Sequence, residues 1–167
     1  MNHDDIMQLV NQLAKQLNNS DIMQAEQPPA VIGILTGGAW IAEHLHKQLQ
    51  RENIPLGLLN IAFYRDDFTQ IGLHPQVTPS ELPFTVNDRH IILVDDVLHT
   101  GRTIRAAMNE IFDYGRPASI TLVTLLDRGH RELPISCDFV GSLVNLPSNK
   151  YVKLTGPDPL TLITVSK

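Results

Sequence analysis

The chain has 167 residues, 43% of them hydrophobic and 19% charged, a balance that fits one soluble globular domain and excludes a disordered or low-complexity protein. Its formal net charge of −5 gives no overall attraction for nucleic acid or anionic membrane, and no apolar run is long enough to span a bilayer. The opening Met1–Asp5 has neither the basic start nor the apolar core of a signal peptide, so the expected compartment is the cytoplasm. A single cysteine, Cys137, excludes an internal disulfide and is expected to be a buried strand residue.

Ile6, Leu9, Val10, Leu13 and Leu17 recur at helical spacing, with Asp4 or Asp5 as N-cap and Asn18–Ser20 as the close. Two prolines then lead into a strand at Ala30–Leu35. Thr36-Gly37-Gly38 turns into a second helix, with Ile41, Leu45 and Leu49 inward, and a second strand is expected near Leu56–Tyr64. Residues 65–88 contain Pro75, Pro79 and Pro83 and show no clean period, which predicts an ordered surface loop or an active-site lid. A strand from Ile91 follows, then a helix with Ile104, Met108, Ile111 and Phe112 inward, ended by Gly115 and Pro117. Ser119–Leu126 forms the next strand, and shorter strands near Phe139–Leu143, Tyr151–Leu154 and Leu160–Val165 finish the chain. Strands alternating with helices of this length predict right-handed βαβ units, a mainly parallel sheet and a single domain over residues 1–167. There is no Gly-x-Gly-x-x-Gly after the first strand and no Gly-Lys-Ser/Thr phosphate loop.

The most informative stretch is Ile91–Thr103. Four apolar residues end in two adjacent carboxylates, Asp95 and Asp96, and a short turn through His99, Thr100 and Gly101 opens a helix near Arg102. Ligands of open α/β sheets bind at this strand edge. The helix N-terminus, with the Thr100 and Thr103 hydroxyls, suits a phosphate, and the carboxylates suit sugar hydroxyls.

In this order of acids, turn, hydroxyls and helix, the chain resembles the type I phosphoribosyltransferases, which bind phosphoribosyl pyrophosphate (PRPP). The longer string from Val94 to Ala106 is similar to one branch in particular, the PyrR family of uracil phosphoribosyltransferases and pyrimidine-operon attenuation regulators. The resemblance implies the type I phosphoribosyltransferase fold, a mainly parallel sheet flanked by helices with a small hood, the loop at about 65–88 being its flexible part. It implies that Asp95 and Asp96 hold the ribose hydroxyls, where an anionic pair stabilises the cationic sugar of the transition state. Thr100, Gly101, Arg102 and Thr103, with His99, would wrap the 5′-phosphate. Thr36, Gly37 and Gly38 match the pyrophosphate loop, which in the family often carries a cis peptide after its first residue. Many members read Thr-Arg-Gly there. Arg65, in Tyr64–Asp67, matches the base of the hood and would reach pyrophosphate on closure.

The run Asp127–Pro134, followed by Asp138–Gly141, is also similar to PyrR-like sequences. By resemblance to purine relatives, Arg128, Phe139 and Val140 form the base pocket. Alternatively Phe139 is simply core, and Arg131 and Glu132 are surface ion-pair formers. His99 stands where branch members usually carry tyrosine and purine enzymes carry aspartate. It either takes the departing base proton or serves as a loop histidine facing phosphate or solvent. The family's Mg²⁺ would be held mainly by PRPP, with no direct protein ligand assigned.

The activity so implied is conversion of uracil and PRPP to UMP and pyrophosphate, by a homodimer or homotetramer with no membrane partner. Two alternatives stay open: a UMP- or UTP-sensing, RNA-binding attenuation regulator, and a hypoxanthine- or guanine-type transferase. RNA is the disfavoured partner. Regulatory members place several basic residues on the first helix and one where Ser136 stands here. Residues 1–29 of this chain offer only Lys15 against Asp4, Asp5, Asp21 and Glu26.

Overall fold

The computed structural model describes residues 1–61 and 79–166. The amphipathic run at the N-terminus forms helix α1, His3–Asn18. Its cap is Asn2 rather than Asp4 or Asp5. The Asn2 side chain accepts from the Asp5 backbone N–H at 2.9 Å, and Asp5 accepts from the Asn2 N–H at 3.0 Å, a reciprocal capping box. After a 3-10 turn, strand β1 (Ala30–Ile34) runs into helix α2 (Gly37–His46), followed by β2 (Leu56–Leu59). Then come β3 (His90–Leu98), α3 (Arg102–Tyr114), β4 (Ser119–Asp127), β5 (Phe139–Leu143), β6 (Lys150–Thr155) and β7 (Thr161–Ser166).

The first five strands make one sheet in the order β2-β1-β3-β4-β5, every pair parallel. Strand periodicity sorts its side chains into two layers. Val31, Ile92, Val94, Val123 and Leu125 face α1 and α2, where Ile6, Val10, Leu13, Ile41 and Leu45 complete the core. Ile32, Ile34, Ile91 and Leu93 face α3 through Ile104, Ala107 and Ile111. Phe112 departs from expectation: it is 56% exposed, while Ala106 and Ala107 take inward positions. The inward stripe of α3 is centred one step around the helix, on small residues that let it approach the sheet closely.

Strands β6 and β7 form a separate antiparallel ribbon that contributes Leu154, Leu160 and Leu162 to the α1-side core. It is stitched to the chain's start. The Leu160 N–H donates to His3 Nδ1 at 3.1 Å, and the Leu162 N–H donates to the Met1 carbonyl at 3.0 Å.

Of the expected loop at 65–88, residues 65–78 lie outside the described residues, as does the expected extension of the second strand through 62–64. Residues 79–88 are an ordered stretch of loop, mostly exposed, that the fold anchors at a few positions. Glu81 pairs antiparallel with Leu58 on the edge of β2, Val86 is 1% exposed, and Leu82 and Phe84 pack on the α3-side core. Among the described residues, no helix is long and apolar enough to cross a membrane.

Candidate active site

The order of the sheet dictates where the functional loops meet. The chain passes from β1 outward to β2, then crosses back to β3 on the other side of β1. The carboxyl ends of β1 and β3 therefore diverge at a switch point and leave a crevice. Both phosphate-type loops and both carboxylates lie there.

At the end of β1 the Leu35–Thr36 peptide is cis, one bond before the position expected from counting Thr36 as the first loop residue. Thr36 is exposed, and Gly37 and Gly38 open α2 directly against the acid pair. A Cβ at Gly37 would collide with the Asp96 carboxylate, standing 2.6 Å from its Cγ. A Cβ at Gly38 would lie 2.6 Å from the Val94 carbonyl oxygen and 2.9 Å from Asp95 Cα. Glycine is required at both places by close approach. Asp95 is 3% exposed and accepts from the Asp96 N–H at 3.0 Å, and Asp96, half-buried, accepts from the Val97 N–H at 3.0 Å. Each carboxylate thus has one oxygen held by backbone.

The second loop runs from His99 to Thr103. Gly101 adopts φ +93°, a left-handed conformation suited to glycine, and is the N-cap of α3. The first helical turn presents backbone N–H groups without intrahelical partners, the usual seat for an anion. The Thr100 hydroxyl accepts from the Arg102 N–H at 3.2 Å.

The loop does not hold its shape alone. The Thr100 carbonyl accepts from the N–H groups of Glu132 and Leu133 at 3.0 and 3.1 Å, and Glu132 pairs with Arg102 Nε at 2.6 Å. Arg131 donates to the His99 carbonyl and the Ile135 carbonyl, both at 2.8 Å, and to Asp127 Oδ2 at 2.5 Å. Burial pushes the Asp127 carboxyl up, but the Arg131 hydrogen bond, the Gly129 N–H and the Arg131 charge outweigh it and hold it below the usual carboxylate range. Arg131 is therefore neither a surface ion-pair former nor aimed at a ligand. It is a clamp joining the segment after β4 to the loop after β3. The Asp127–Arg131 spacing of four was visible in sequence, but the third partner, a carbonyl 32 residues away, was not.

Cys137 is half-buried in the connection before β5, not in a strand, with its thiol 3.5 Å from Asp127 Oδ2. Burial raises the thiol pKa and the nearby Asp127 charge adds to the effect. The side chain packs against the α3-side core.

Arg128 sits 7% exposed at the carboxyl end of β4. Its N–H donates to the Leu98 carbonyl and its Nη2 to the Lys150 carbonyl, both at 3.0 Å, while its buried Nε meets no partner among the described residues. The expected companions lie elsewhere. Phe139 and Val140 begin β5, paired with Val123 and Thr124, and Phe139 packs into the α1-side core. The core reading of Phe139 is the one the packing supports. The segment that reaches Arg128 is the start of β6, through the Lys150 carbonyl, which sequence reasoning left outside the site. Only the closure of the ribbon onto β4 brings it in. Arg65 lies outside the described residues.

His99 is half-buried, and its ring meets that of His130 edge to face, with centroids 6.5 Å apart and planes at 81°. Among the described residues no group of three or more His, Cys, Asp or Glu side chains could hold a metal ion. A Mg²⁺ ion fits this donor set only if phosphate and water supply most of its ligands, which is how Mg²⁺ is commonly bound beside phosphorylated substrates.

Residues 2–158 match the family model for the phosphoribosyl transferase domain, and the chain belongs to that family. Within it, the similar curated proteins point to the PyrR-like branch. The Bifunctional protein PyrR of Nitrosococcus oceani is 63% identical over 153 residues, covering 91% of this chain and 86% of that protein. The Bifunctional protein PyrR of Pseudomonas fluorescens is 54% identical, covering 92% and 91%. Among solved structures, a hypoxanthine-guanine-xanthine phosphoribosyltransferase superposes with TM-score 0.65 at 24% identity over 90% of this chain and 79% of its own. A hypoxanthine phosphoribosyltransferase from Staphylococcus aureus gives 0.67 at 22% identity, covering 90% and 77%. These two show the shared fold.

Proposed function

We propose that this protein transfers the phosphoribosyl group of PRPP to uracil, yielding UMP and pyrophosphate. The observation that carries the reading is the interlock at the switch point, where the side-chain-free Gly37 and Gly38 lie directly against Asp96 and Asp95. A pyrophosphate on the first loop and a ribose over the acids would be held on either side of the bond that breaks, with the 5′-phosphate at the α3 N-terminus. As that bond lengthens the sugar gains positive charge, and two carboxylates held by backbone N–H groups stabilise it without reorganising. Mg²⁺, bound chiefly by the substrate's phosphates, supplies charge neutralisation for the leaving pyrophosphate. Arg128, buried with an unpartnered Nε, is suited to an exocyclic oxygen of the base, with Lys150 forming the facing wall. Support for uracil comes from the PyrR-like relatives, whereas the purine enzymes of known structure support the fold alone.

The test is pyrophosphate release from PRPP and Mg²⁺ with uracil, hypoxanthine, guanine, xanthine and orotate offered in parallel. Turnover with uracil alone supports the reading, and turnover only with a purine replaces it. The name "bifunctional" on the relatives favours a second reading beside the first, a nucleotide-sensing RNA regulator. Against it stand the acidic α1 and the inward attachment of Arg131. Binding of pyrimidine-operon leader RNA in the presence and absence of UMP decides it.

A further inference from the structure

We infer that Arg131, with the backbone of Glu132 and Leu133, aims the N–H groups of Thr100 and Gly101 at the 5′-phosphate of PRPP, an inference that rests on the transferase reading above. Arg131 acts through the loop and not on the substrate, so it is a positioning residue.

The carbonyls of the loop after β3 are held from one side. The His99 carbonyl accepts from Arg131 Nη1 at 2.8 Å, and the Thr100 carbonyl accepts from the N–H groups of Glu132 and Leu133 at 3.0 and 3.1 Å. In a planar trans peptide unit the carbonyl and the N–H point in opposite directions. The cis bonds of the described residues lie elsewhere in the chain. Pinning these two carbonyls toward the segment after β4 therefore turns the N–H groups of Thr100 and Gly101 away from it. In the sheet, β4 flanks β3 on one side and β1 on the other. The side away from β4 is that of β1 and the crevice.

Among the described residues neither N–H meets a partner, although Gly101 is buried. Buried backbone donors are rarely left so, and one anion with several acceptor oxygens answers both. The Thr100 hydroxyl accepts from the Arg102 N–H at 3.2 Å, which leaves its own proton for the same anion.

The aim is firm because the aiming group is anchored. Arg131 Nε donates to the Ile135 carbonyl and Nη2 to Asp127 Oδ2, while Nη1 holds His99. A Cβ at Gly101 would stand 3.3 Å from Ile135 Cδ1 and 3.4 Å from Leu133 Cβ, so the loop also rests on those side chains. A cradle set before the phosphate arrives needs no ordering when it binds. The 5′-phosphate takes no part in bond breaking, so its contacts are equal in substrate and transition state. Weakening them raises KM and leaves kcat.

The experiment measures binding of ribose 5-phosphate and of pyrophosphate with Mg²⁺ by calorimetry, beside kcat and the PRPP KM at saturating uracil. It compares the intact protein with its Arg131→Met and Arg131→Lys variants. Ribose 5-phosphate reports on the loop after β3 and pyrophosphate on the loop after β1. In Arg131→Met the ribose 5-phosphate Kd and the PRPP KM are expected to rise about tenfold, with kcat and the pyrophosphate Kd within about twofold. Lysine can reach one carbonyl but lacks the fork, so Arg131→Lys is expected to show a rise of about threefold. A general loosening would weaken both ligands and lower kcat together. If Arg131→Met does not fold, Arg131→Lys carries the same comparison. Unchanged ribose 5-phosphate binding in the variants, or equal loss for both ligands, would overturn the aiming role and leave the transferase reading standing. A native protein that binds no ribose 5-phosphate and turns over no base would overturn both.

Discussion

Adding one methyl group at Gly37 is expected to disable the site while leaving the protein as stable as before. The new Cβ would stand 2.6 Å from Asp96 Cγ, whereas carbon atoms in contact prefer about 3.5–4.0 Å, so the carboxylate must retreat by roughly 1 Å. It can do so, because among the described residues its bond from the Val97 N–H is the one that holds it. A displacement of about 1 Å in a catalytic group costs on the order of a hundredfold in rate, or about 2.7 kcal/mol of transition-state stabilisation. Stability should hold or rise slightly, since Gly37 is the first residue of α2 and alanine there restricts the unfolded chain by about 0.4–1 kcal/mol. Gly38→Ala is the contrast. Its Cβ would meet the Val94 carbonyl and Asp95 Cα, which are backbone and cannot swing aside, so both stability and activity should fall, the former by about 1–3 kcal/mol. The assay pairs kcat/KM for PRPP with urea unfolding of the two variants. Native activity in Gly37→Ala would refute the reasoning, for it would mean either that Asp96 is not needed where it stands or that the loop yields instead.

Arg131→Ala should lower unfolding free energy by about 2–3 kcal/mol, since it removes charge-assisted bonds to two loop carbonyls and Asp127; Arg131→Lys should recover only part, lacking the planar fork. Asp127 has its pKa lowered in the folded state. Its contribution is therefore complete above the ordinary carboxylate pKa and is lost as pH falls through the depressed folded value, so Asp127→Asn should flatten the acid side of the stability–pH curve. Ile111→Ala should cost about 2–5 kcal/mol and the adjacent Phe112→Ala no more than about 0.5 kcal/mol by urea denaturation, because Ile111 is fully buried and Phe112 is not. At neutral pH iodoacetamide should alkylate Cys137 more slowly than it does glutathione, and fast labelling of the native protein would contradict the raised thiol pKa.

Much of this molecule could be read along the chain because its signals are local. The apolar run into Asp95 and Asp96, the stripe of α1 and the strand–helix alternation each follow from periods that backbone geometry imposes. The misreadings have physical causes as well. Asn2 outcompetes Asp4 and Asp5 as a cap because a carboxylate three residues on can answer its N–H. Residues 79–88 are a loop, as their prolines suggest, but its inward anchors Leu82, Phe84 and Val86 could not be read from it, because the edge of β2 and the core on the α3 side decide them. The clamp of Arg131 on His99 and the approach of Lys150 to Arg128 join positions 32 and 22 residues apart, and only the closed sheet and ribbon create those meetings.

The packing of α1 bears on how the molecule is made. Ile6, Val10, Leu13 and Leu17 share one buried cluster with Ile41 and Leu45 of α2, Val123 and Leu125 of β4, and Leu160 and Leu162 near the chain's end, and α1 also lies against β5. A ribosome synthesising this chain would deliver α1 and α2 together, well before β4 and β5 exist to complete the surface they cover. Until those strands emerge, the two helices have only each other and the first three strands against which to shelter their apolar faces. Contacts of such sequence separation slow folding, because the loop between them must be closed before any burial rewards it. The seat of α1 is complete only when the far half of the sheet has been made.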